Sequence, residues 1–535
     1  MVMIRLIQEN DIENVIELYK VVYGDDFPFK EFYDASWIKK GVFNENIRWF
    51  VAQTEEGKIL GSAAVMLDSG GYNDLIGEFG RLVVHPEARN LNLGSKLFDA
   101  LLEASSPYID FGFGECRTAH TGAQKILKRA GFGIVGIEPH PYRLGSVRES
   151  MLFVCRLMGN AYKLRKNNPR VIPEIHALGS LALHNCGIED DLIVESIVEP
   201  YPVTRDPDVH LAPLDNDQIY RLLRLSRGNR EFPDIFGNCK LEYGFLKLKS
   251  HAGQYLVLYR GKSIVGGLGY VWDEIDLKIK VFEVISAEAN TKGAIIEMGL
   301  QYIEKTYSPA YIQFDVNAHS PRMQRTLCHL GFAPVAYCPS MVYADGERLD
   351  VIKMVKLFIP LRLDQAKLID EALPIKKVVE DLLIKQARGV EIDEISRQVV
   401  LFQGMTDVQI GYLCSVCKEV PYAHGEWVFR TGEKDRTLFI VLDGEIEIIT
   451  EKLDRTIAIL GKGETVGEMA LIEDLPRSAS VRCRRDSRLA LIKAKDFESL
   501  IIRDPELGLI VYRNMAKSLS KRLRSTDTKL ENRDT

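Results

Sequence analysis

Apolar and polar positions along the first third of the chain alternate in segments that predict strands and helices in turn. Residues 3–7 predict a strand, and Asn10 with Glu13 forms the capping-box pattern of a helix that runs to Tyr19. The elements predicted beyond it are a hairpin of strands at 49–53 and 59–67, a strand that ends at the turn around Pro86, an amphipathic helix after a polar loop, a strand at 109–113, a helix at 122–130 and a strand that opens at Gly131-Phe132. This order predicts a mixed α/β domain over residues 1–158.

The same plan returns in the second part of the chain, over residues 211–358. A hairpin with strands at 255–259 and 264–271 matches the first hairpin, and Gly331-Phe332 matches the earlier glycine–phenylalanine pair. The segment GERLDVIKMVKL also echoes SVRESMLFVCRL. Such internal similarity predicts two tandem domains of one fold.

The last third of the chain alternates apolar and polar residues between glycine turns, as the strands of a β-roll do. The segment HGEWVFRTGEKDRTLFIVLDGEIEIIT carries this pattern, and residues 496–524 then read as two helices with an apolar stripe. The pattern predicts a domain over residues 399–525, followed by a polar tail over 526–535. Two linkers remain between the three domains, one over 159–210 and a helical one over 359–398.

Both linkers contain segments with helical periodicity. Residues 174–185 predict a helix in the first linker. Residues 363–385 give the second linker a helical pattern that Pro374 is expected to interrupt, because proline cannot donate a backbone hydrogen bond.

The composition is that of an ordinary globular protein. Hydrophobic residues make up 46% of the 535 and charged residues 27%, and the net charge of −6 predicts no broad basic face for nucleic acid. No apolar run approaches the roughly 18 residues of a membrane-spanning helix, and the first residues lack the pattern of a signal peptide. Nine scattered cysteines fit a reducing compartment, and the one CxxC pair, Cys414 and Cys417, has no second pair to complete a zinc site. We therefore expect a cytoplasmic protein without a bound metal.

A short stretch near the carboxyl terminus combines features of an anion site with those of a sugar site. Gly467 lets the backbone turn sharply and approach a ligand, and the residues after it can form one helical turn with free N–H groups. Arg477 offers a planar guanidinium suited to a phosphate, while the Glu468 carboxylate needs a donor such as a sugar hydroxyl. A phosphate and a ribose within one ring indicate a cyclic nucleotide.

The run G-E-M-A-L-x4-P-R-S-A-S-V resembles the phosphate-binding cassette of the cyclic-nucleotide-binding domain family. The resemblance implies that Glu468 binds the ribose 2′-hydroxyl and that Arg477 and Ser478 contact the cyclic phosphate. The site residues that it implies are Val466, Gly467, Glu468, Met469, Ala470, Arg477, Ser478 and Ala479. In this family threonine after the arginine indicates cGMP and alanine indicates cAMP. Ser478 lies between these two, and cAMP is favoured, with cGMP as the alternative.

The polar loop in the first domain leads from a strand to a helix whose first N–H groups could receive a phosphate. Its sequence, V-x-P-x-x-R-x-x-N-x-G, resembles the pyrophosphate loop R/Q-x-x-G-x-G/A of the GNAT acetyltransferase superfamily. Arg89 and Gly94 hold the outer positions, and Asn92 replaces the middle glycine, which asparagine can do because it tolerates the left-handed conformation. The acetyl-CoA site that the resemblance implies consists of Leu82, Val83, Val84, Arg89, Asn90, Leu91, Asn92, Leu93, Gly94 and Ser95.

The implied chemistry is direct acetyl transfer, in which a base takes a proton from the acceptor amine. Glu78 lies eleven residues before the loop arginine, where some lysine-acetylating GNAT enzymes place their base, and it is the first candidate. Its alternative interpretation is a solvated charge at the start of a strand, and His120 is a second candidate base. Leu127 replaces the tyrosine that usually protonates the leaving thiolate, which leaves water, Tyr108 or Tyr142 as proton donors.

The second domain departs from the first where this chemistry would lie. The segment in the place of the acetyl-CoA loop, 287–294, has no arginine or glutamine and a single glycine. Leu327 again replaces the tyrosine, and Glu283, on the strand that parallels that of Glu78, is the one candidate base. These departures favour a structural or substrate-binding role for the second domain.

These features predict a multidomain α+β protein in which two GNAT-like mixed α/β domains precede a β-roll cyclic-nucleotide-binding domain with C-terminal helices. The predicted function is a cyclic-nucleotide-regulated N-acetyltransferase that moves acetyl from acetyl-CoA to an amine, with a protein lysine favoured as acceptor. Two alternatives stay open: a non-catalytic scaffold that senses cyclic nucleotide, and a small-molecule amine acetyltransferase that cAMP does not regulate. No nucleic-acid or membrane partner is expected, and the oligomeric state stays open.

Overall fold

A computed structural model describes most of the chain. The described residues are 2–24, 30–67, 74–144, 147–203, 208–214, 233–237, 253–288, 291–359, 361–387, 399–405, 409–410, 413, 416–450, 455–473, 475–503 and 505–531. The chain divides into two compact units. The amino-terminal unit comprises Met1–Lys356 and Arg362–Leu382, and the carboxyl-terminal unit comprises Leu357–Leu361 and Leu383–Thr535.

The amino-terminal unit is built on one sheet of 15 strands with helices packed against it. Its strands are β1 (Val2–Leu6), β2 (Ile47–Thr54), β3 (Ile59–Met66), β4 (Ile76–Val84), β5 (Phe111–Arg117), β6 (Gly133–Leu144), β7 (Val147–Leu157), β10 (Val209–Pro213), β11 (Ile235–Phe236), β12 (Gln254–Arg260), β13 (Ser263–Asp273), β14 (Lys278–Ser286), β15 (Tyr311–Asn317), β16 (Ala333–Ala344) and β17 (Glu347–Leu357); β8 (Arg170–Val171) and β9 (Ile193–Val194) pair separately. The helices are α1 (Ile12–Tyr23), α2 (Ala35–Val42), α3 (Leu93–Ser105), α4 (Gly122–Arg129), α5 (Ala161–Leu164), α6 (Pro173–Asn185), α7 (Lys292–Tyr307), α8 (Pro321–His329) and α9 (Leu373–Ala387), whose residues from Leu383 onward belong to the carboxyl-terminal unit. The strand order is β1-β2-β3-β4-β5-β7-β6-β16-β17-β15-β14-β13-β12-β10, with β11 paired to β15.

The strand pairing of the first part of the sheet recurs in the second part at a fixed interval along the chain. Gly133 pairs with Cys155 in the β6–β7 hairpin, and Ala333 pairs with Val355, each 200 positions later, in the β16–β17 hairpin. We call residues 2–158 the first repeat and residues 209–356 the second repeat. The two repeats meet edge to edge where β6 pairs with β16, at Gly136 and Ala336. Their sheets are therefore one continuous surface.

Each hairpin reaches across this junction to the other repeat. The Arg148 guanidinium, in the first repeat, donates to the Asp276 carbonyl oxygen at 2.7 Å. In the reciprocal contact, the Arg348 guanidinium donates to the Asp74 carboxylate at 2.9 Å, and the backbone N–H of Tyr343 donates to the same carboxylate at 3.0 Å. Arg348 is 1% exposed, so this contact is a buried ion pair.

Two local predictions for the amino-terminal unit were wrong. The predicted capping box of Asn10 and Glu13 lies instead at Gln8 and Asp11, because a 3-10 turn at Glu9–Asp11 precedes α1. Pro374 does not interrupt a helix but lies in the first turn of α9, where its missing N–H would have no partner inside the helix anyway.

The carboxyl-terminal unit contains two four-stranded antiparallel sheets and helices. Its strands are β18 (Lys418–Tyr422), β19 (Trp427–Phe429), β20 (Thr437–Asp443), β21 (Ile446–Thr450), β22 (Arg455–Leu460), β23 (Thr465–Val466), β24 (Ser480–Cys483) and β25 (Ser487–Lys493), and its helices are α10 (Met469–Ile472), α11 (Ala494–Arg503) and α12 (Pro505–Glu531). The sheets have the orders β18-β25-β20-β23 and β19-β24-β21-β22 and enclose an apolar core, as the β-roll pattern predicted. The last helix runs beyond the predicted end at Arg524. No helix among the described residues has the length and apolarity needed to cross a membrane.

We predict that Arg348→Met destabilises the amino-terminal unit by about 3–5 kcal/mol, because it leaves the Asp74 carboxylate buried without its cation. Urea unfolding of the full chain measures this loss. The control is Lys58→Met, since the Lys58–Glu87 pair is 55% and 73% exposed and is expected to change the free energy of unfolding by less than about 1 kcal/mol. Equal losses in the two variants would contradict the role given to the buried pair.

Candidate functional site

The sheet of the first repeat opens between β4 and β5. These parallel strands are paired from Ile76 and Phe111 as far as Glu78 and Phe113, and their pairing stops there. On its other edge β4 carries a bulge, where Arg81 adopts a left-handed conformation with φ of 57°. The bulge turns the strand away from β5. The second half of β4, which includes Leu82, Val83 and Val84, therefore faces an open wedge.

Glu78 lies at the last paired position, where the wedge begins. Its side chain is 22% exposed and forms an ion pair with Arg81 at 3.3 Å. Because Glu78 pairs with Met66 on β3, it shares a face of the sheet with residues that α1 and α2 cover. This position fits a group that meets a substrate entering the wedge.

The predicted acetyl-CoA loop forms a 3-10 turn, Pro86–Leu91, and then the first turn of α3. Asn92 links the two with φ of 53° and ψ of 28°, which is the left-handed conformation expected where a glycine is replaced. Arg89, Asn90, Leu91 and Asn92 are exposed, while Leu93, Gly94 and Ser95 are buried. The loop is thus exposed up to the point where the helix begins, and the first helical residues are buried.

The remaining candidates of the first repeat are scattered. His120 is exposed in the loop after β5, and partial burial together with the nearby Arg117 lowers its pKa. Tyr108 precedes β5 and lies at the opposite end of that strand from the wedge, so it is too far away to protonate a thiolate there. Tyr142 lies on β6, and its hydroxyl donates to the Glu115 carboxylate at 2.7 Å.

The register of the second repeat corrects the predicted counterpart of Glu78. Lys280 pairs with Gln313 as Glu78 pairs with Phe113, so a lysine occupies the position of the candidate base. Glu283 lies beyond a bulge in β14 and accepts a hydrogen bond from the Tyr255 hydroxyl at 2.6 Å. The sequence pattern pointed to Glu283 instead, because the connection from β3 to β4 differs in length from the connection from β13 to β14.

The wedge of the second repeat is filled by the chain itself. Strand β11 pairs with β15 at Ile235–Val316 and Phe236–Asp315, beyond the point where β14 leaves β15. The backbone at Gly237 packs so closely that a Cβ there would lie 2.4 Å from the Phe282 Cα. No such strand enters the β4–β5 wedge among the described residues of the first repeat.

The N-terminus of α7, the counterpart of the α3 loop, is covered as well. A Cβ on Gly293 would lie 2.4 Å from the Pro202 carbonyl oxygen. The Asp234 carboxylate lies against this helix end, where Lys292 Nζ contacts it at 2.6 Å and the Tyr201 hydroxyl donates to it at 3.1 Å. A carboxylate of the chain thus pairs with the side chain of the first residue of this helix.

In the carboxyl-terminal unit, Gly467 and Arg477 form the centre of the predicted cassette. Gly467 has φ of 84°, and a Cβ there would lie 2.6 Å from Arg477 Nη1 and 2.8 Å from the Thr437 carbonyl oxygen. Glu468 is 3% exposed and precedes the single turn α10, while Met469 is 44% exposed. Val466 is buried in β23, Ser478 is exposed and Ala479 half-buried beside Arg477, and Ala470 lies in α10.

The Arg477 guanidinium is held by groups that the sequence did not single out. It stacks on the Phe429 ring at 4.0 Å, and its Nη2 donates to the Thr437 carbonyl oxygen at 2.6 Å and to the Asp435 carboxylate at 3.0 Å. Arg477 is 6% exposed, yet its Nε has no hydrogen-bond partner among the described residues. Asp435 is 49% exposed, so an anion can replace it without leaving a buried carboxylate. No local sequence signal marks Phe429 or Asp435, because each is brought to Arg477 by a different strand connection.

The structure describes one cysteine of the CxxC pair. Cys417 is buried in the core of the carboxyl-terminal unit, and its thiol donates to the Leu413 carbonyl oxygen at 3.2 Å. Cys414 lies outside the described residues.

Comparisons with known proteins match two segments of the chain. Residues 45–134 match the family described as an acetyltransferase (GNAT) domain, and residues 419–504 match the cyclic nucleotide-binding domain. Over 134 residues the chain is 32% identical to the cyclic AMP receptor protein of Thermus thermophilus, and the match covers 24% of this chain and 60% of that protein. Over 156 residues it is 32% identical to a cGMP-dependent protein kinase of Toxoplasma gondii, which covers 27% of this chain and 14% of the kinase.

A solved structure of the Thermus thermophilus catabolite activator protein is 31% identical, with a TM-score of 0.23, and the match covers 25% of this chain and 63% of that one. These first relatives are thus matched over less than two thirds of their length. At the level of domain families, the predicted GNAT domain and cyclic-nucleotide-binding domain are confirmed. The GNAT match lies within the first repeat, and a GNAT origin of the second repeat stays a prediction.

We predict that Gly467→Ala lowers the melting temperature of the carboxyl-terminal unit, because alanine would be strained at this φ and would displace Arg477. The left-handed strain alone costs about 1–2 kcal/mol. Gly461→Ala is the matched control, since φ there is not positive and no atom lies within 4 Å of the new Cβ. Calorimetric unfolding of both full-length variants makes the comparison, and an undisturbed Gly467→Ala transition would count against the packing described.

Proposed function

We propose that this chain, which carries a GNAT acetyltransferase domain and a cyclic nucleotide-binding domain, is an N-acetyltransferase whose rate responds to a cyclic nucleotide. The single observation that carries the proposal is the presence of both domains in one chain. Acetyl-CoA is the acetyl donor, and a protein lysine is the favoured acceptor. The preference for a protein acceptor rests on analogy, because an enzyme of small-molecule amines rarely needs a second-messenger sensor.

Acetyl-CoA is proposed to bind along the open half of β4 and at the N-terminus of α3. The exposed loop of Arg89, Asn90, Leu91 and Asn92 receives the pyrophosphate, since N–H groups of Leu93, Gly94 and Ser95 begin a helix there. Backbone groups of Leu82, Val83 and Val84 have no partner strand on the β5 side among the described residues, and they are available to the thioester arm.

Glu78 is proposed as the base of the reaction. The acceptor ammonium gives a proton to the Glu78 carboxylate, and the neutral nitrogen attacks the thioester carbon. The carbon–sulfur bond breaks, the thiolate takes the second proton from nitrogen, and Glu78 returns its proton to solvent. No tyrosine is needed as the proton donor to sulfur: Tyr108 lies at the far end of β5, and the Tyr142 hydroxyl already donates to Glu115.

The second repeat is proposed to bind no acetyl-CoA. Strand β11 fills its wedge, Asp234 lies at its helix N-terminus, and Lys280 replaces the base. Its proposed role is to complete the acceptor face of the first repeat through the joined sheet.

The nucleotide is proposed to place its cyclic phosphate between Arg477, Ser478 and the backbone at Gly467, with its ribose on Glu468. The unpartnered Nε of Arg477 and the exposed Asp435 support this, because a phosphate oxygen can satisfy the first and displace the second. Ser478 favours cAMP weakly, with cGMP as the alternative, and the relatives named above include proteins of both kinds.

The connector that leads toward the carboxyl-terminal unit offers a route for regulation. Within the amino-terminal unit, the buried Gln124 side chain donates to the Lys367 carbonyl oxygen at 2.8 Å and accepts from the Ile369 N–H at 3.1 Å. The Lys367 N–H donates to the carbonyl oxygen of Thr118, just after β5, at 2.7 Å. A nucleotide that favours one connector position would therefore act on the strand that borders the wedge.

The deciding experiment measures CoA release by the full chain with a panel of lysine-bearing proteins, with and without cAMP. We expect turnover that changes with cAMP, a loss of cAMP dependence in Arg477→Ala, and a fall in kcat of about 10²–10⁴-fold in Glu78→Gln. Turnover that ignores cAMP would support the unregulated small-molecule enzyme. Nucleotide binding without any turnover would support the scaffold.

We also predict that calorimetry finds one acetyl-CoA per chain. Arg89→Ala weakens this single event, because it removes the loop cation, while Lys292→Ala leaves it unchanged, since Lys292 contacts Asp234 in the second repeat. A stoichiometry of two would mean that β11 leaves the second wedge.

A further inference from the structure

A row of residues crosses the sheet on one face at the junction of the repeats. Each member pairs with the next across neighbouring strands: Glu115 with Phe153, Phe153 with Gly136, Gly136 with Ala336, and Ala336 with Lys353. Paired residues in a sheet point to the same side, and Glu115 lies two positions after Phe113, the partner of Glu78. Glu115 and Glu78 therefore belong to one face of the open wedge.

Glu115 is a charged residue of this row whose side chain solvent can reach. Its side chain is exposed, yet the protein around it desolvates the carboxylate and raises its pKa, and the nearby Glu138 raises this pKa further. The Tyr142 hydroxyl donates to it at 2.7 Å. The positive charges of Lys278 and Lys353, both from the second repeat, oppose this rise of the Glu115 pKa. Neither lysine forms an ion pair with Glu115 in the described part of the chain.

The second repeat contains the same arrangement with a cation bound to it. Asp315 lies two positions after Gln313, as Glu115 lies after Phe113, and it is 2% exposed. The ammonium group of Lys280 contacts its carboxylate at 2.9 Å, and this ion pair lowers the pKa of Asp315. Lys280 reaches Asp315 from the strand position that Glu78 holds in the first repeat.

The comparison between the repeats identifies the ligand class. In the second repeat a lysine ammonium lies on the carboxylate at this place in the fold. In the first repeat the strand position that would supply the lysine carries Glu78, and Glu115 faces solvent instead. The second repeat thus shows a contact between a lysine and a carboxylate. The first repeat offers the equivalent carboxylate, Glu115, to solvent.

We propose that Glu115 binds the ammonium group of the acceptor and thereby selects a cationic alkylamine, such as a lysine side chain, over a neutral amine. The inference rests on the proposed function and deepens it, since it assigns recognition of the acceptor to Glu115 and proton removal to Glu78. Tyr142 positions the Glu115 carboxylate. Lys278 and Lys353 add charges of the second repeat to the surroundings of Glu115.

The test compares two acceptor probes with the full chain and acetyl-CoA: Nα-acetyl-lysine amide, which is cationic at pH 7, and aniline, which is neutral. Hydrogen bonds to charged groups contribute about 1.5–3 kcal/mol, so Glu115→Gln is expected to raise KM for the lysine amide by about 10- to 100-fold. The kinetics with aniline and the KM for acetyl-CoA are expected to stay within about 2-fold. Glu103→Gln, the same change at an exposed position of α3, is the control and is expected to leave all parameters unchanged.

Equal effects of Glu115→Gln on both amines, or no effect on either, would overturn the inference. If that variant does not fold, Tyr142→Phe provides the test, because the lost hydroxyl donor raises the pKa of Glu115. As the pH is lowered, KM for the lysine amide should then begin to rise at a higher pH than it does in wild type. A pH profile that is the same as that of wild type would refute the assignment.

A binding measurement separates this inference from the proposed function. Line broadening of n-butylammonium in the proton NMR spectrum, observed with wild type and lost in Glu115→Gln, supports the site even if no acetyl transfer occurs. Broadening that is the same in both proteins overturns it. If no turnover is found but the line broadening depends on Glu115, the transferase proposal is refuted and the ammonium site stands.

Discussion

The close approach of Gly136 to Ala336 determines how the two repeats combine. A Cβ on Gly136 would lie 2.1 Å from the Ala336 Cβ and 2.5 Å from its Cα, so only glycine lets β6 and β16 pair. This single pairing joins the two sheets into one. The reciprocal hairpin contacts and the row of residues across the junction both depend on it.

A continuous sheet of two related halves can serve different purposes in each half. In the first repeat the bulge at Arg81 opens a wedge beside β4, and nothing else in the described part of that repeat pairs there. In the second repeat β11 completes the strand edge, and Asp234 lies at the helix N-terminus. Satisfied backbone groups and a neutralised helix end favour stability, whereas an open edge with free N–H groups favours a ligand. This difference supports the proposal that the first repeat binds acetyl-CoA and that the second repeat supports it.

In the carboxyl-terminal unit, the Arg477 guanidinium is held in one orientation by its neighbours. Arg477 is buried, stacked on Phe429 and bonded to a carbonyl oxygen, which fixes its orientation in advance of any ligand. A fixed donor loses less side-chain entropy on binding than a mobile one. The exposed Asp435 supplies a counter-charge that the proposed cyclic phosphate would replace.

The sequence by itself determined the order of elements, the repeat, the positions of both loops and the left-handed Asn92, since each depends on local periodicity or local backbone preference. It placed Pro374 and the first capping box wrongly, because proline at a helix start and a short 3-10 turn produce the same residue pattern as the predicted elements. Only the tertiary structure decided that Lys280 and not Glu283 corresponds to Glu78, that β11 fills the second wedge, and that charges of the second repeat lie near Glu115. These depend on strand register and on contacts between residues that are far apart in the chain, which no local pattern encodes.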